Sequence, residues 1–476
     1  MKKSAKTGGP PHFNWARSGR GYLLTNDAGE HARLTPAQFR RFARSGDLPP
    51  SAKLDELRDK GFLRDKMDFE DQAEKWSGSN AYLDRGPGLH ILVTTLRCNH
   101  QCLYCQAGAG GAAARGTDMS LRVARKSVDF ALSAPGEGLT VEFQGGEPLL
   151  NWGAVKEAVL YGERRAAAAG KSLKFALVSN FSLMTEEKAA FLLKHRVALC
   201  TSLDGPAALH DRQRVFSGGG SHALAVKWIK YFQAKLGPGS DCGPSALLTV
   251  SRFSLGHERE VVEEYAGLGL DSIFVRPLAP IGFSAQLWDR LGYSAEEFSR
   301  FYRRSLEHIL KLNRKGVVLK EKTAFLVLKK ALGFRDNKYV DLRCPCGAGL
   351  GQLAYDYNGD IYTCDEGRML AWQGDGLFRA GSVFKDDYAG VISSGVVKAC
   401  AAASSLDLQP ECSRCVWRPY CGVCPAYNYQ AQGSLWGDMP SNARCAMLKG
   451  VFAAAFDIIG DKGKLKTAEK WLADRP

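Results

Sequence analysis

The chain has 476 residues, 45% hydrophobic and 24% charged, a composition typical of a soluble globular protein and a length too great for one small core. Its formal charge of +14 is spread over the whole length, with no basic run and no interleaved aromatic platform; this places nucleic acid behind two other readings, a simply basic soluble protein and attraction to an acidic peptide or leader. Apolar runs such as Ile91–Leu96 and Val451–Phe456 are too short to span a membrane, and the basic start "MKKSAKTGGPPHFNW" has no apolar segment behind it, so the cytoplasm is the expected compartment.

Residues 1–88 read as a small α+β module. "GYLLTNDAGEHARLT" predicts a hairpin around Asn26–Asp27 with Gly29 just beyond, and short helical patterns follow at 35–45 and 51–60. A strand pair followed by small helices suits a winged-helix-like module for peptide or leader recognition; a cap with no binding role is equally open. From residue 89 to 293, strand and helix patterns alternate. The strands are expected at 89–96, 139–144, 174–179, 197–203, 245–251 and 271–278, with helices at 119–133, 151–169, 185–195, 222–235 and 257–268 between them. Six βα units imply a parallel sheet with right-handed crossovers, and a full barrel needs eight, so a partial (β/α)6 barrel open along one side is expected. Two helices bridge 294–340, and a cysteine-rich domain over 341–446 contains an Asn-Gly hairpin, "LAYDYNGDIYTC". A terminal helix is expected over 447–476.

In a reducing compartment, 14 cysteines point to metal thiolates rather than a disulfide framework. Cys200, Cys242 and Cys400 fall outside the clusters and are expected to be buried, inert thiols. Cys98, Cys102 and Cys105 stand in C-x3-C-x2-C spacing directly after the first strand. Zinc wants four ligands and disulfides want even numbers, whereas three thiolates hold three corners of a [4Fe–4S] cube and leave one iron open for reaction. A zinc ion borrowing a fourth ligand, such as His100, is the competing reading. In parallel βα folds the chemistry sits at the C-terminal ends of the strands, where this triplet falls.

The triplet resembles the signature of the radical S-adenosylmethionine (SAM) enzymes, and "QGGEPLL", closing the second strand, resembles that family's second motif. The resemblance implies that Cys98, Cys102 and Cys105 carry the catalytic cluster, on which SAM is cleaved to a 5′-deoxyadenosyl radical. Tyr104 takes the place of the usual aromatic whose backbone lies near the adenine, and Gly145, Gly146, Glu147 and Pro148 hold the methionine amino group through backbone carbonyls. Ser179 and Asn180 would face the SAM carboxylate or ribose, and Ser202 and Asp204 ribose or substrate; Arg276 ends the sixth strand. Each of these five could equally be a structural residue at a strand end. His100 is then expected behind the ligands or facing solvent.

The C-terminal cysteines resemble the SPASM module of peptide-modifying radical SAM enzymes, with two residues in the last short gap, "CGVC", where the usual pattern has three. By resemblance, Cys344, Cys346, Cys364 and Cys424 hold one auxiliary [4Fe–4S] cluster, and Cys412, Cys415, Cys421 and Cys445 a second. A zinc ribbon on 412, 415, 421 and 424 is the alternative. The phrases "YLLTNDAGE", "LHILVTTLRCNHQCLYCQA", "VEFQGGEPLLN", "TSLDGPAALH", "SIFVRPLAPIGF" and "CGVCPAYNYQAQG" together resemble the His-Xaa-Ser system radical SAM maturase over nearly the whole chain. That likeness implies modification of a ribosomally made peptide or small protein with His-Xaa-Ser repeats, beside a second radical SAM maturase and an electron donor such as flavodoxin or ferredoxin. Three [4Fe–4S] clusters and SAM are the implied cofactors. Two other functions compete: a sulfatase-maturase-like oxidase forming formylglycine, and an iron–sulfur electron-transfer or binding subunit without SAM chemistry of its own.

Overall fold

Leu89–Thr95 is apolar or β-branched at nearly every position and buried at nearly every position, as a strand covered on both faces must be. The structure, a computed structural model, describes residues 12–63, 68–237, 239–333 and 339–472. Five more parallel strands continue from this one in chain order: Gly138–Gly145, Ser172–Val178, Ala198–Ser202, Ser245–Val250 and Val275–Pro277. The helices between them are Leu121–Leu132, Trp152–Ala168, Glu186–Lys194, Ser221–Leu236 and Glu258–Gly267. Ser120 and Thr185 start two of these as side-chain caps, accepting from the Val123 and Lys188 amides. The α/β architecture with a partial (β/α)6 barrel is therefore as the sequence predicts. The last strand is shorter than expected, because Ser272–Ile273 leaves the sheet to pair with Lys320–Glu321.

One edge differs from expectation. Gln352–Tyr355 adds in parallel beside the first barrel strand, and Asp360–Tyr362 and Arg379–Ser382 extend the sheet to nine strands. The barrel is thus not open next to its first strand; the cysteine-rich part closes that side. The Asn-Gly turn forms as read, with Gly359 at φ +89° and room for no Cβ beside Phe384 and Val383.

The N-terminal part is a three-stranded antiparallel sheet, Asn14–Ser18, Gly21–Thr25 and His31–Leu34, followed by helices Pro36–Ser45 and Ala52–Asp59. Leu24, Phe42, Leu57 and Phe62 form its core. Residues 1–11, including most of the basic start, lie outside the described residues. The module is docked on the C-terminal part: Thr25 Oγ1 donates to Val416 O at 2.9 Å and Tyr420 Oη to Gly29 O at 2.9 Å. A further helix, Phe69–Asn80, escapes the sequence pattern because it buries no residue and so needs no apolar stripe.

The bridge holds helices Ala295–Arg314 and Lys322–Ala331, while the expected terminal helix is two, Ala443–Ile459 and Lys462–Leu472. The break falls at Gly460, where Asp461 accepts from the Gly463 and Lys464 amides and starts the second helix. Among the described residues no helix is long and apolar enough to cross a membrane.

Candidate active site

Beyond Thr95 the chain leaves the barrel as a loop pinned on two sides. Arg97–Cys98 pairs with Gly110–Gly111, and His100–Cys102 pairs antiparallel with Arg214–Phe216. Cys98 is buried and Cys102 and Cys105 are half-buried. All three line one cavity of about 190 Å³ together with Tyr104, Gly146, Glu147, Ser179, Asn180 and Ser202. Burial pushes the Cys98 thiol up to about 12 and Cys102 to about 11, so neither ionises readily without a cation facing it.

The glycines of the second strand end are dictated by contact. Gly145 (φ +139°) and Gly146 lie so close to the loop that a Cβ would fall 2.2 Å from Thr95 O and 2.1 Å from Arg97 O. The same approach makes two ladder-like bonds, Gly146 N–H to Thr95 O and Glu147 N–H to Arg97 O, both 2.8 Å. Glu147 is fully buried, and its carboxylate is consumed within the protein. It accepts from Ser179 Oγ at 2.8 Å, Leu149 N at 3.0 Å and Asn180 N at 2.9 Å, while burial raises its carboxyl above the usual range. Glu147 therefore fixes the third strand end against the second. Glu147→Ala strands these donors and is expected to cost about 3 kcal/mol in a urea unfolding midpoint series.

His100 stands behind the thiols rather than at solvent: its backbone N–H donates to Cys98 Sγ at 3.4 Å, and its buried ring lines the cavity. Its ring stacks on Phe216 at 4.6 Å, Nδ1 lies 3.0 Å from Asn180 Nδ2, and Nε2 lies 2.9 Å from Ser221 Oγ. Burial, reinforced by Arg214, lowers its pKa to about 4, so the ring is neutral and bonded.

Pattern reading missed Arg214, Thr249 and Met369, which also line this cavity. Arg214 Nη1 donates to Tyr104 Oη at 2.6 Å, and Tyr104 Oη donates to Asp204 Oδ2 at 2.5 Å. Burial opposes the Arg214 charge but is outweighed by Cys102, Tyr104 and Asp204, so the guanidinium is held firmly protonated. Its Nε has no partner among the described residues. Asp204 thus acts behind Tyr104 rather than on the cavity wall, and Gly145 and Pro148 likewise stand outside the lining. Arg276 does not line this cavity; it is half-buried near Tyr339, Asp341 and Glu366.

The C-terminal thiols form two groups. Cys412, Cys415, Cys421, Cys424 and Cys445 border one pocket with Leu406, Val423 and Met439. Burial raises the Cys346, Cys364 and Cys424 thiols, with Cys424 adding to the rise of the other two and Cys346 to that of Cys364. Cys344 packs instead with the group around Leu406 and Cys412, its Sγ accepting from Leu406 N at 3.2 Å. Of the remaining thiols Cys400 is fully buried, whereas Cys200 and Cys242 are only half-buried. Cys200 alternates with buried Leu199 and so faces the barrel interior, on the same side as Ser202.

Among the described residues no three Cys, His, Asp or Glu side chains converge on a single metal ion, as thiolates about 2.3 Å from one zinc would. The first cavity instead fits a larger group. A buried thiol and two half-buried ones, a guanidinium partly unpartnered among the described residues and two close glycine–carbonyl approaches suit a three-ligand iron–sulfur cluster with a co-ligand that carries both a carboxylate and an ammonium group.

Residues 92–242 match the family model of the radical SAM superfamily. An uncharacterized protein of Archaeoglobus fulgidus is 24% identical over 387 residues, covering 80% of this chain and 84% of the relative. The radical SAM cyclopropyl synthase TigE of Paramaledivibacter caminithermalis is 22% identical over 132 residues, 25% of this chain and 27% of that one. Among solved structures, native anSMEcpe with bound AdoMet superposes with TM-score 0.64 at 18% identity, over 79% of this chain and 99% of that one. Streptococcus suis SuiB bound to precursor peptide SuiA superposes with TM-score 0.54 at 14% identity, over 89% and 97%. The chain therefore carries a radical SAM domain, within an α/β radical SAM fold that it shares with these two structures.

Proposed function

We propose that this chain is a radical SAM maturase that modifies a ribosomally made peptide or small protein of the His-Xaa-Ser repeat type. It would work beside a second radical SAM maturase, with a flavodoxin or ferredoxin as electron donor. The observation that carries the reading is the convergence of both sequence motifs, with Arg214, on one cavity at the C-terminal ends of parallel strands. Cys98, Cys102 and Cys105 would hold the catalytic cluster, and the backbone around Gly145–Pro148 the SAM amino group. Arg214, with its free Nε, is the natural partner of the SAM carboxylate, and Ser202 can reach toward ribose. When bound, the cluster and SAM supply one-electron bond cleavage and hydrogen abstraction from an unactivated carbon. The protein's part is to bind, orient and exclude water, and Met369 adds a side chain from the C-terminal part to the cavity lining. Cys346, Cys364 and Cys424 would carry one auxiliary [4Fe–4S] cluster, with Cys344 as its fourth ligand from the sequence pattern, and Cys412, Cys415, Cys421 and Cys445 another.

Peptide substrates are supported by the structural neighbours, SuiB bound to precursor peptide SuiA and anSMEcpe with bound AdoMet and Cp18Cys peptide. In this chain the outer strand Asn14–Ser18 has one edge unpaired among the described residues and carries Trp15, 52% exposed, beside Tyr22 and Phe39. Around it Arg17, Arg20, Arg40, Arg41 and Arg44 are exposed, and residues 12–25 and 36–46 contain no acid. An extended acidic leader adding to this edge would meet both main-chain partners and complementary charge. The triple variant Trp15→Ala, Arg40→Glu, Arg44→Glu is expected to weaken binding of the substrate peptide about tenfold or more by fluorescence anisotropy, leaving SAM cleavage unchanged.

The test is mass spectrometry of a His-Xaa-Ser protein co-expressed with this chain, with and without the second maturase. A mass change confined to co-expressed peptide is expected. An aldehyde at Ser or Cys would identify a formylglycine-forming oxidase instead, and no change in either case would defeat the maturase reading.

A further inference from the structure

Arg368 heads the largest fully buried side chains, at 1% exposure. A guanidinium in that position costs several kcal/mol unless its donors are met. Its Nε and Nη2 reach Asp365 Oδ1 at 3.1 and 2.8 Å, and Nη1 donates to Ala107 O at 3.2 Å. These partners belong to different parts of the chain. Asp365 directly follows Cys364, which caps helix Asp365–Trp372 by accepting from Gly367 N at 3.3 Å. Ala107 is two residues beyond Cys105, on the loop that ends the thiol triplet.

The same helix holds that loop at two further points. Met369 reaches the cavity of the three thiols, and Trp372 covers Gly108 so closely that a Cβ there would fall 2.2 Å from the ring. From the other side Phe283 N donates to Cys105 O at 2.8 Å, and the Phe283 and Trp372 rings meet edge to face at 5.9 Å. Arg368 is thus a buried cation within this clamp, and besides Asp365 it interacts with Asp356 and Cys105.

We propose that Arg368 is a positioning residue that fixes the loop after Cys105 and, by its buried charge, raises the reduction potential of the cluster held by Cys98, Cys102 and Cys105. This rests on the reading that those thiols hold a [4Fe–4S] cluster. Reduction adds one electron, drawn from an external donor, to an already anionic thiolate cluster. A cation held nearby in a low-dielectric interior stabilises the reduced form. Asp365 partly offsets that cation, so the two side chains act on the potential with opposite sign.

The test is an EPR-monitored redox titration of the reconstituted full chain with dithionite, following the signal that changes when SAM is added. Arg368→Met is expected to lower the midpoint potential of that signal, and Arg368→Lys to restore it at least in part. Asp365→Asn, which keeps the guanidinium and removes its counter-charge, is expected to raise it. A purely structural role would move both variants the same way or neither, and either result overturns the proposal. If Arg368→Met does not fold, an Asp365→Asn potential that is unchanged or lowered is sufficient to overturn it. Absence of any SAM-responsive signal in the unsubstituted protein would defeat the parent reading and this inference with it. A SAM-responsive signal indifferent to both substitutions defeats this inference alone.

Discussion

Cys102→Ala protein is expected to fold, to lose one cluster's worth of iron, and to cleave no SAM above background. Cys102 sits on a short strand pair with Arg214–Phe216, held by backbone bonds that do not involve its sulfur. Removing a half-buried thiol there leaves the pairing intact, and the unfolding free energy should change by no more than about 1 kcal/mol. Two thiols cannot hold three corners of a cube, however, so the reactive iron loses its site. Iron content and SAM turnover, measured beside a circular dichroism melt, separate this outcome from misfolding. A Cys102→Ala protein with full SAM cleavage would contradict the assignment of the triplet.

Gly146→Ala should be as damaging by a different route. Its Cβ would lie 2.1 Å from Arg97 O, 2.5 Å from Arg97 C and 3.0 Å from Leu96 C. All three are backbone atoms of the thiol loop and cannot swing aside. Relief requires the second strand end to move off the loop, breaking the bonds from Gly146 to Thr95 and from Glu147 to Arg97. The expected cost is about 3 kcal/mol of stability, with SAM binding by equilibrium dialysis lost even where the protein stays folded. Gly153→Ala is the matched control. Nothing lies within 4 Å of its added methyl, and it sits in helix Trp152–Ala168, so it should be neutral or stabilising by up to about 1 kcal/mol.

What could be read from sequence was local. The barrel strands show themselves as short apolar runs because both faces are covered, and the thiol triplet and the Gly-Gly-Glu stretch are contiguous. Their places at the ends of adjacent strands follow from chain order in a parallel sheet. Arg214 escaped notice because its importance comes from pairing across to His100–Cys102, which no spacing rule encodes. Met369 and Arg368 escaped for the same reason, reaching the thiol loop from a helix in a later part of the chain. The strand Gln352–Tyr355 reads correctly as one arm of a hairpin, yet its parallel pairing with the first barrel strand is a tertiary fact. Asn14–Ser18 alternates in burial but not in polarity, with Asn14, Ala16 and Ser18 inward and Trp15 exposed, so no apolar period marks it in the sequence. Spacing alone leaves His100 either behind the ligands or at solvent, and only Phe216, Asn180 and Ser221 closing around its ring exclude solvent.

The most direct measurement of the account is SAM cleavage by the isolated chain. After anaerobic iron–sulfur reconstitution and reduction with dithionite, it should convert SAM to methionine and 5′-deoxyadenosine in equal amounts. Protein that binds iron, sulfide and SAM, accepts electrons from dithionite and yet leaves SAM intact would contradict it.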